Sequence, residues 1–357
     1  MMFNSTFWKN KRVFVTGHSG FKGTWLCHWL HVLGAKVWGY SMGVNEEQYL
    51  FSKSVLPDLQ HSFYGDIRNE EHLGKCLREV EPEIIFHLAA QPIVRKSYLE
   101  PLETFSTNVM GTLKLLSCSR QLLHCKAIVV VTSDKCYENH DSLSAFRETD
   151  RLGGDDPYSA SKACTEIAVR SFAKSFFGDT SVERSKPVLA TARAGNIIGG
   201  GDWGEDRLIP DLARLLPTGG KAIIRSPDAV RPWQFILDAL SGYLILAENL
   251  FNHGDRFASS WNFGPSTSDS FSVKYLADKF IENTDVKIKI KQKPKDNLKE
   301  KSNLCIDASK AKRFLKWQTR LPLETTISLT RQWYIDFYRG YEAKELCKKQ
   351  IDSYQQI

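Results

Sequence analysis

Three polar residues of different acidity, Ser133, Asp134 and Lys135, stand directly after the apolar run 127-AIVVVT. A hydroxyl, a carboxyl and an amine at the end of a buried strand serve packing poorly. Together they can hold a substrate oxygen, deliver a proton and receive one. The plain alternative is a solvated turn, where Ser-Asp is common. Further on, 157-PYSASK carries Tyr158 and Lys162 at i and i+4. On a helix those positions share a face, and Pro157 suits the first turn. A free tyrosine has a pKa of about 10, and a nearby cation in desolvated surroundings favours the phenolate. Such a phenolate is a base for a sugar or alcohol hydroxyl while hydride leaves the same carbon.

Hydride needs an acceptor, and 17-GHSGFKG has the form of a dinucleotide loop. Gly17, Gly20 and Gly23 permit a tight turn and a close approach of backbone to a pyrophosphate, whose charge a helix N-terminus favours. The acidic residue expected about 20 positions on, for the ribose 2′-hydroxyl, is absent. The second strand ends instead in 38-WGYSMG. Lys22 either faces a 2′-phosphate or is solvated, so the residues leave NAD against NADP open.

The elements that must position these groups alternate. The runs 12-RVFVTG, 36-KVWGY, 84-IIFHLAA and 127-AIVVVT read as strands, with a further one possible at 62-SFYG. The segments 21-FKGTWLCHWLHVLG, 69-NEEHLGKCLREV and 101–123 carry apolar residues at helical spacing. Continuous apolar strands separated by helices predict a parallel sheet covered on both faces, a doubly wound α/β domain with ligands beyond the carboxyl ends of the strands. After about Arg193 the pattern changes to Gly- and Pro-rich loops such as 195-GNIIGGGDWGED and 225-RSPDAVRP, which predicts a smaller C-terminal lobe. The boundaries expected are a dinucleotide-binding domain over 1–193, a return to the sheet near 233–265, and a substrate lobe over most of 194–357.

Composition is that of an ordinary globular chain: 357 residues, 42% hydrophobic, 25% charged, net charge +7. Its apolar runs are too short to span a bilayer and the start lacks a secretory h-region, so a cytoplasmic protein without a membrane partner is expected. The basic stretch 292-KQKPKDNLKEK reads as a solvated loop rather than a nucleic-acid arm. The eight cysteines are scattered, with no C-x-x-C pair, so reduced structural thiols and no metal site are expected. His87 reads as a satisfied core histidine, and Trp25, Trp29 and Trp38 as packing.

The glycine loop, Ser133 and Tyr158-x-x-x-Lys162, taken together, resemble the extended short-chain dehydrogenase/reductase family, from Gly17 to about Gly264. The supporting phrases are Asp66-Ile67, 86-FHLAAQ, 108-NVMGT, 193-RAGNIIGGGDW and 261-WNFG. The resemblance implies a Rossmann-type fold with a nucleotide-sugar lobe. It puts Gly17, Gly20, Phe21, Lys22, Gly23, Asp66, Ile67, Ala89, Ala90, Tyr158 and Lys162 around the cofactor, and Gln91, Asn196, Arg207 and Arg231 against the substrate.

Longer phrases (87-HLAAQPIVRKSY, 132-TSDKCYEN, 152-LGGDDPYSASK, 206-DRLIPD, 231-RPWQFILD) are similar to the members that dehydrate CDP-glucose at C4 and C6 with NAD. That branch implies deoxysugar synthesis for surface polysaccharide and a homodimer or dimer of dimers built on segments 101–123 and 158–177. It implies Ser133 as the hydroxyl on the C4 oxygen, Asp134 as the acid toward the C6 oxygen, and Lys135 as either the C5 base or an enolate stabiliser. The stretch 142-SLSAFRE departs from the pattern where aromatic residues are expected. A nucleotide-sugar epimerase of the same fold, or a dehydratase of another nucleotide-glucose, is the alternative; in an epimerase Asp134 and Lys135 would be idle.

Overall fold

Residues 6–140, 144–177, 186–266, 271–290 and 303–357 are described by the computed structural model of the chain. The N-terminal half alternates as the apolar runs predict: β1 (Arg12–Thr16), α1 (Phe21–Val32), β2 (Lys36–Ser41), α2 (Glu46–Val55), β3 (His61–Tyr64), α3 (Glu70–Val80) and β4 (Ile84–His87). Then come α4 (Val94–Leu99), α5 (Pro101–Phe105), α6 (Gly111–Ser119), β5 (Ala127–Val131), α7 (Pro157–Phe176) and β6 (Val188–Ala194). The segment expected as one helix over 101–123 is interrupted by a π-helical turn at Ser106–Met110 between α5 and α6.

All pairings in the main sheet are parallel, in the order β3-β2-β1-β4-β5-β6 with a seventh strand, Ser260–Phe263, beyond β6. Each central strand is buried on both faces, and its residues alternate between two cores. Ala127, Val129 and Val131 of β5 join the larger core, with Val13, Val15 and Phe86, whereas Ile128 and Val130 join the smaller one with Phe14 and Ile85. A run of five apolar residues is therefore required, and β-branched side chains suit it. The strand order reverses between β1 and β4, which opens a crevice at their carboxyl ends.

The later chain supplies β7 (Ile197–Ile198), α8 (Leu208–Ala213), β8 (Gly220–Ile224), β9 (Val230–Arg231), β10 (Gln234–Phe235), α9 (Ile236–His253), β11 (Ser260–Phe263), β12 (Phe271–Ser272), α10 (Val273–Phe280), β13 (Val286–Ile290), α11 (Leu323–Tyr338) and α12 (Ala343–Gln355). Three two-stranded pieces, β7 with β10, β9 with β12 and β8 with β13, build its irregular part. The larger core runs through both halves. Trp29 of α1 meets Tyr354 of α12 edge to face at 5.7 Å. Gly200 lies so close to Trp333 that a Cβ there would sit 2.0 Å from its ring. Trp25 and Trp29 are buried in this core and Trp38 packs against the other. Among the described residues no helix is long and apolar enough to cross a membrane. The stretch 292-KQKPKDNLKEK lies outside the described residues.

Candidate active site

The glycine loop closes between β1 and α1. Gly17 has φ +72°, and a Cβ there would come within 2.7 Å of the Ala89 backbone, so the first glycine is required twice over. Gly23 allows the first turn of α1 to sit on the loop, since its Cβ would lie 2.0 Å from the Gly17 carbonyl oxygen. A Cβ on Gly20 would meet only that oxygen, at 3.4 Å, so the mouth of the loop is open. The start of α1 has no side-chain cap. Its first N–H groups lack helical partners, and such a terminus favours an anion. The loop of Gly17, Gly20 and Gly23 leaves the backbone at this helix start uncovered by side chains, the form a pyrophosphate requires.

Around this loop the predicted cofactor residues divide. Ile67 is buried, and Gly111 lets α6 close on it. The Ala89 N–H donates to Thr16 Oγ1 at 3.2 Å. The Asp66 carboxylate is gripped by Arg68 through Nε and Nη2, and Arg68 also pairs with Glu103. Burial and the Arg207 charge lower Lys22 to about 8, with Asp134 and Asp202 opposing, so its surroundings include Asp134 among the catalytic groups.

Those groups meet where β5 ends. Ser133 Oγ donates to Asp134 Oδ1 at 2.9 Å and accepts from the Lys135 N–H at 3.1 Å. Ser133 also neighbours the Tyr158 phenol and favours its ionised form. Asp134 is 3% exposed and its Oδ2 has no hydrogen-bond partner. Burial raises its pKa, against the charges of Lys135 and Arg231 and the bond from Ser133. A buried carboxyl whose acidity is weakened, with one oxygen that no protein group engages, is placed to deliver a proton.

Tyr158 and Lys162 ride on α7, whose start is set by three contacts. Pro157 occupies the first turn, Asp156 accepts from the Ser159 N–H at 2.9 Å, and the Tyr158 N–H donates to Ser97 Oγ at 3.1 Å. The ammonium of Lys162 sits 6.0 Å from the Tyr158 ring centre. The expectation that Lys162 lowers the phenol needs correcting for the free protein. Burial pushes Tyr158 up to about 12, with Ser133 and Arg207 opposing. Burial and the Lys22 charge lower Lys162 itself to about 7, with Glu166 opposing. In the free protein burial thus outweighs the neighbours that favour the phenolate.

Of the four residues expected on the substrate, Arg231 is buried and its charge reaches Asp134. Arg207 pairs with Asp202 at 3.0 Å and acts on Tyr158 and Lys22. Asn196 is half-buried, and its carbonyl accepts from the Gln234 N–H at 3.0 Å. The Gln91 amide donates to the Ile93 carbonyl and Thr104 Oγ1 and accepts from the Ile93 N–H. That amide is engaged inside the protein, where it fixes the loop leading into α4. His87 is held by Thr16 and Thr112 at 2.7 and 2.8 Å, and burial drives it to about 3, a neutral core ring.

Sequence reasoning missed Glu166, one helical turn beyond Lys162. It accepts hydrogen bonds from Thr132, Thr191, Ser260 and Arg193, the last at 2.7 Å. Burial raises this carboxyl, but Arg193 and its hydroxyl donors outweigh that and hold it below the usual range. The network ties Thr132, between β5 and Ser133, together with β6 and β11 to α7. The signal available was an acid at i+4 from Lys162 on the same helical face. Phe146, in the stretch that departs from the family pattern, stacks on Tyr137 at 5.0 Å, while residues 141–143 lie outside the described residues.

Residues 13–258 match the NAD dependent epimerase/dehydratase family. Across 353 residues, 99% of this chain and 98% of the relative, the sequence is 43% identical to CDP-glucose 4,6-dehydratase of Salmonella typhimurium. It is 24% identical to dTDP-glucose 4,6-dehydratase 1 of Escherichia coli over 91% of the chain and 92% of that protein. The fold is similar to that of a dTDP-glucose 4,6-dehydratase from Streptomyces venezuelae solved with NAD, at a TM-score of 0.76 and 22% identity over 93% of this chain and 99% of that one. A dTDP-glucose 4,6-dehydratase from Bacillus anthracis in complex with NAD gives 0.74 and 22% over 94% and 99%. The dinucleotide that the second strand left undecided is NAD, because the chain belongs to the NAD dependent epimerase/dehydratase family.

Proposed function

We propose that this enzyme removes water from CDP-glucose to give CDP-4-keto-6-deoxy-glucose. The observation that carries the reading is Asp134, a buried carboxyl with a free oxygen one residue from Ser133. Epimerisation moves hydride off and onto one carbon and has no use for such an acid. Dehydration must expel the C6 hydroxyl, and a leaving hydroxyl needs a proton. The CDP assignment follows the 43% identical relative, whose own substrate is CDP-glucose.

Each group then has a task. Ser133 holds the C4 oxygen and Tyr158, once deprotonated, takes its proton. Bound NAD supplies the hydride acceptor at C4 and, once reduced, the hydride donor at C6, so it ends as it began. The C4 ketone acidifies the C5 proton, and Lys135, half-buried beside Asp134, acts on that proton. Asp134 protonates the departing C6 oxygen, which leaves as water, and the hydride and a proton then saturate C6 and C5. Lys162 stays near the phenol, and Arg207 and Arg231 hold the diphosphate. The Lys135→Arg variant keeps the charge but accepts no proton. Loss of solvent exchange at C5 in that variant makes Lys135 the base; retained exchange makes its role electrostatic.

We infer a homodimer from an apolar stripe across α4, α5 and α7. Leu99 is 83% exposed, Leu102 84% and Ile167 57%. The test of the substrate is the product mass with CDP-, dTDP-, UDP- and GDP-glucose, each incubated with enzyme and NAD. Loss of one water from CDP-glucose at far the highest rate supports the assignment. Equal rates on another base overturn the CDP reading, and an unchanged mass with inverted configuration overturns the dehydratase.

A further inference from the structure

Dinucleotide sites of this fold that take NAD grip the ribose 2′-hydroxyl with an acid at the end of the second strand. Here the last residue of β2 is Ser41. Its hydroxyl lies 2.7 Å from that of Ser19 in the glycine loop, and both residues are buried, at 6% and 5% exposure. Backbone bonds fix the pair in place. The Gly17 N–H donates to the Tyr40 carbonyl at 2.7 Å, and the Gly65 N–H to the Ser41 carbonyl at 3.0 Å. His18 lies against Gly39, where a Cβ would sit 2.2 Å from its ring. Just beyond, a Cβ on Gly43 would meet nothing within 4 Å, so this end is open. The carboxylate after β3, Asp66, is neutralised by Arg68.

Two hydroxyls bring two donors and four acceptor lone pairs, and their mutual bond uses one of each. One donor and three acceptors remain. A carboxylate only accepts, so it demands a hydroxyl on the ribose and repels a phosphate. A hydroxyl pair accepts from a 2′-hydroxyl or donates to a 2′-phosphate. We propose that Ser41, with Ser19, reads the ribose 2′ position, and that the site therefore admits the 2′-phosphorylated dinucleotide NADP alongside NAD. The hydroxyls carry no charge, so the pair confers no preference for NADP.

Titration calorimetry of the protein without sugar nucleotide tests this by binding alone. The expected result is an NADP dissociation constant within about tenfold of that for NAD. Ser41→Asp restores the acid and weakens NADP about a hundredfold, the cost of opposing like charges, while NAD stays within about threefold. Should the buried acid prevent folding, Ser41→Ala reads the same hydroxyl and weakens both dinucleotides several-fold. NAD bound more than about a thousandfold tighter than NADP by the unaltered protein overturns the proposal. So does an unchanged NADP-to-NAD ratio in a folded Ser41→Asp protein, or unchanged binding by Ser41→Ala. Failure of NAD itself to bind overturns the pair together with the loop.

Discussion

Asparagine in place of Asp134 separates oxidation from dehydration. The Asp134 side chain accepts from Ser133 at 2.9 Å through Oδ1, while Oδ2 meets no protein partner. Asp134→Asn keeps the Oδ1 bond and the shape, and it replaces the free oxygen by an amide that cannot give up a proton. A positioned general acid contributes about 10²- to 10⁴-fold, which is roughly 3–5 kcal/mol of barrier. Dehydration should slow by that factor, while oxidation at C4, which uses Tyr158 and Ser133, proceeds. The assay is NADH absorbance in a single turnover, followed by the product mass. NADH should accumulate in the variant with no loss of water, whereas it stays low throughout in the unaltered enzyme.

Stability moves the other way. Burial raises the folded pKa of Asp134, so the folded state holds this proton more tightly than the unfolded chain does. Stability is then lost as pH rises from the ordinary carboxylate value, about 3.9, through the raised one. Asp134→Asn removes that loss, so its melting temperature at neutral pH should equal or exceed the parent's, and the gain should vanish in acid. Turnover within about threefold of the parent, or no build-up of NADH, would refute Asp134 as the acid.

Three further outcomes follow from the same geometry. Lys162 is depressed to about 7 by burial, so its desolvation weighs fully on the fold below that pH and eases as pH rises toward about 10.4. Lys162→Met should therefore raise the melting temperature at pH 6 to 7, with a gain that shrinks by about pH 9.5, and abolish turnover. Glu166→Gln leaves the Arg193 side chain, 3% exposed, without its counter-charge. Thermal unfolding should show a loss of about 3–5 kcal/mol, on the order of 5 °C for a chain this long; a loss under about 1 kcal/mol would mean the network carries no such weight. Leu99→Glu with Leu102→Glu places charge on two exposed leucines and should give monomers in sedimentation, where the proposed homodimer predicts a dimer for the unaltered protein.

The sheet was legible because the requirement to be buried on both faces leaves a plain mark. Val13, Phe14 and Val15, like Ala127 through Val131, are apolar without alternation, and few structures other than an interior parallel strand need that. The glycine loop and the Tyr158–Lys162 pair were legible for a similar reason, since their spacing follows from turn and helix geometry. What escaped depends on contacts distant in sequence. Nothing in the sequence around Gln91 shows that Ile93 and Thr104 engage its amide. Lys22 read as facing a 2′-phosphate or solvated, and its spacing gave no sign of the Arg207, Asp134 and Asp202 charges around it. The phenol acidity was misjudged because the i, i+4 rule gives proximity and says nothing of the desolvation that Tyr158 and Lys162 both undergo. The short pairings β7–β10 and β8–β13 carry too few residues to show a period.

The central claim is that one enzyme carries hydride from C4 of a nucleotide-glucose to C6 of the same molecule while water leaves. CDP-glucose deuterated at C4, mixed with an equal amount of unlabelled CDP-glucose bearing a heavy C6 carbon, tests it in one spectrum. The account predicts deuterium at C6 only in product molecules that began with deuterium at C4, with one water lost from each. Deuterium returned to C4, or spread onto the heavy-carbon product, would contradict it.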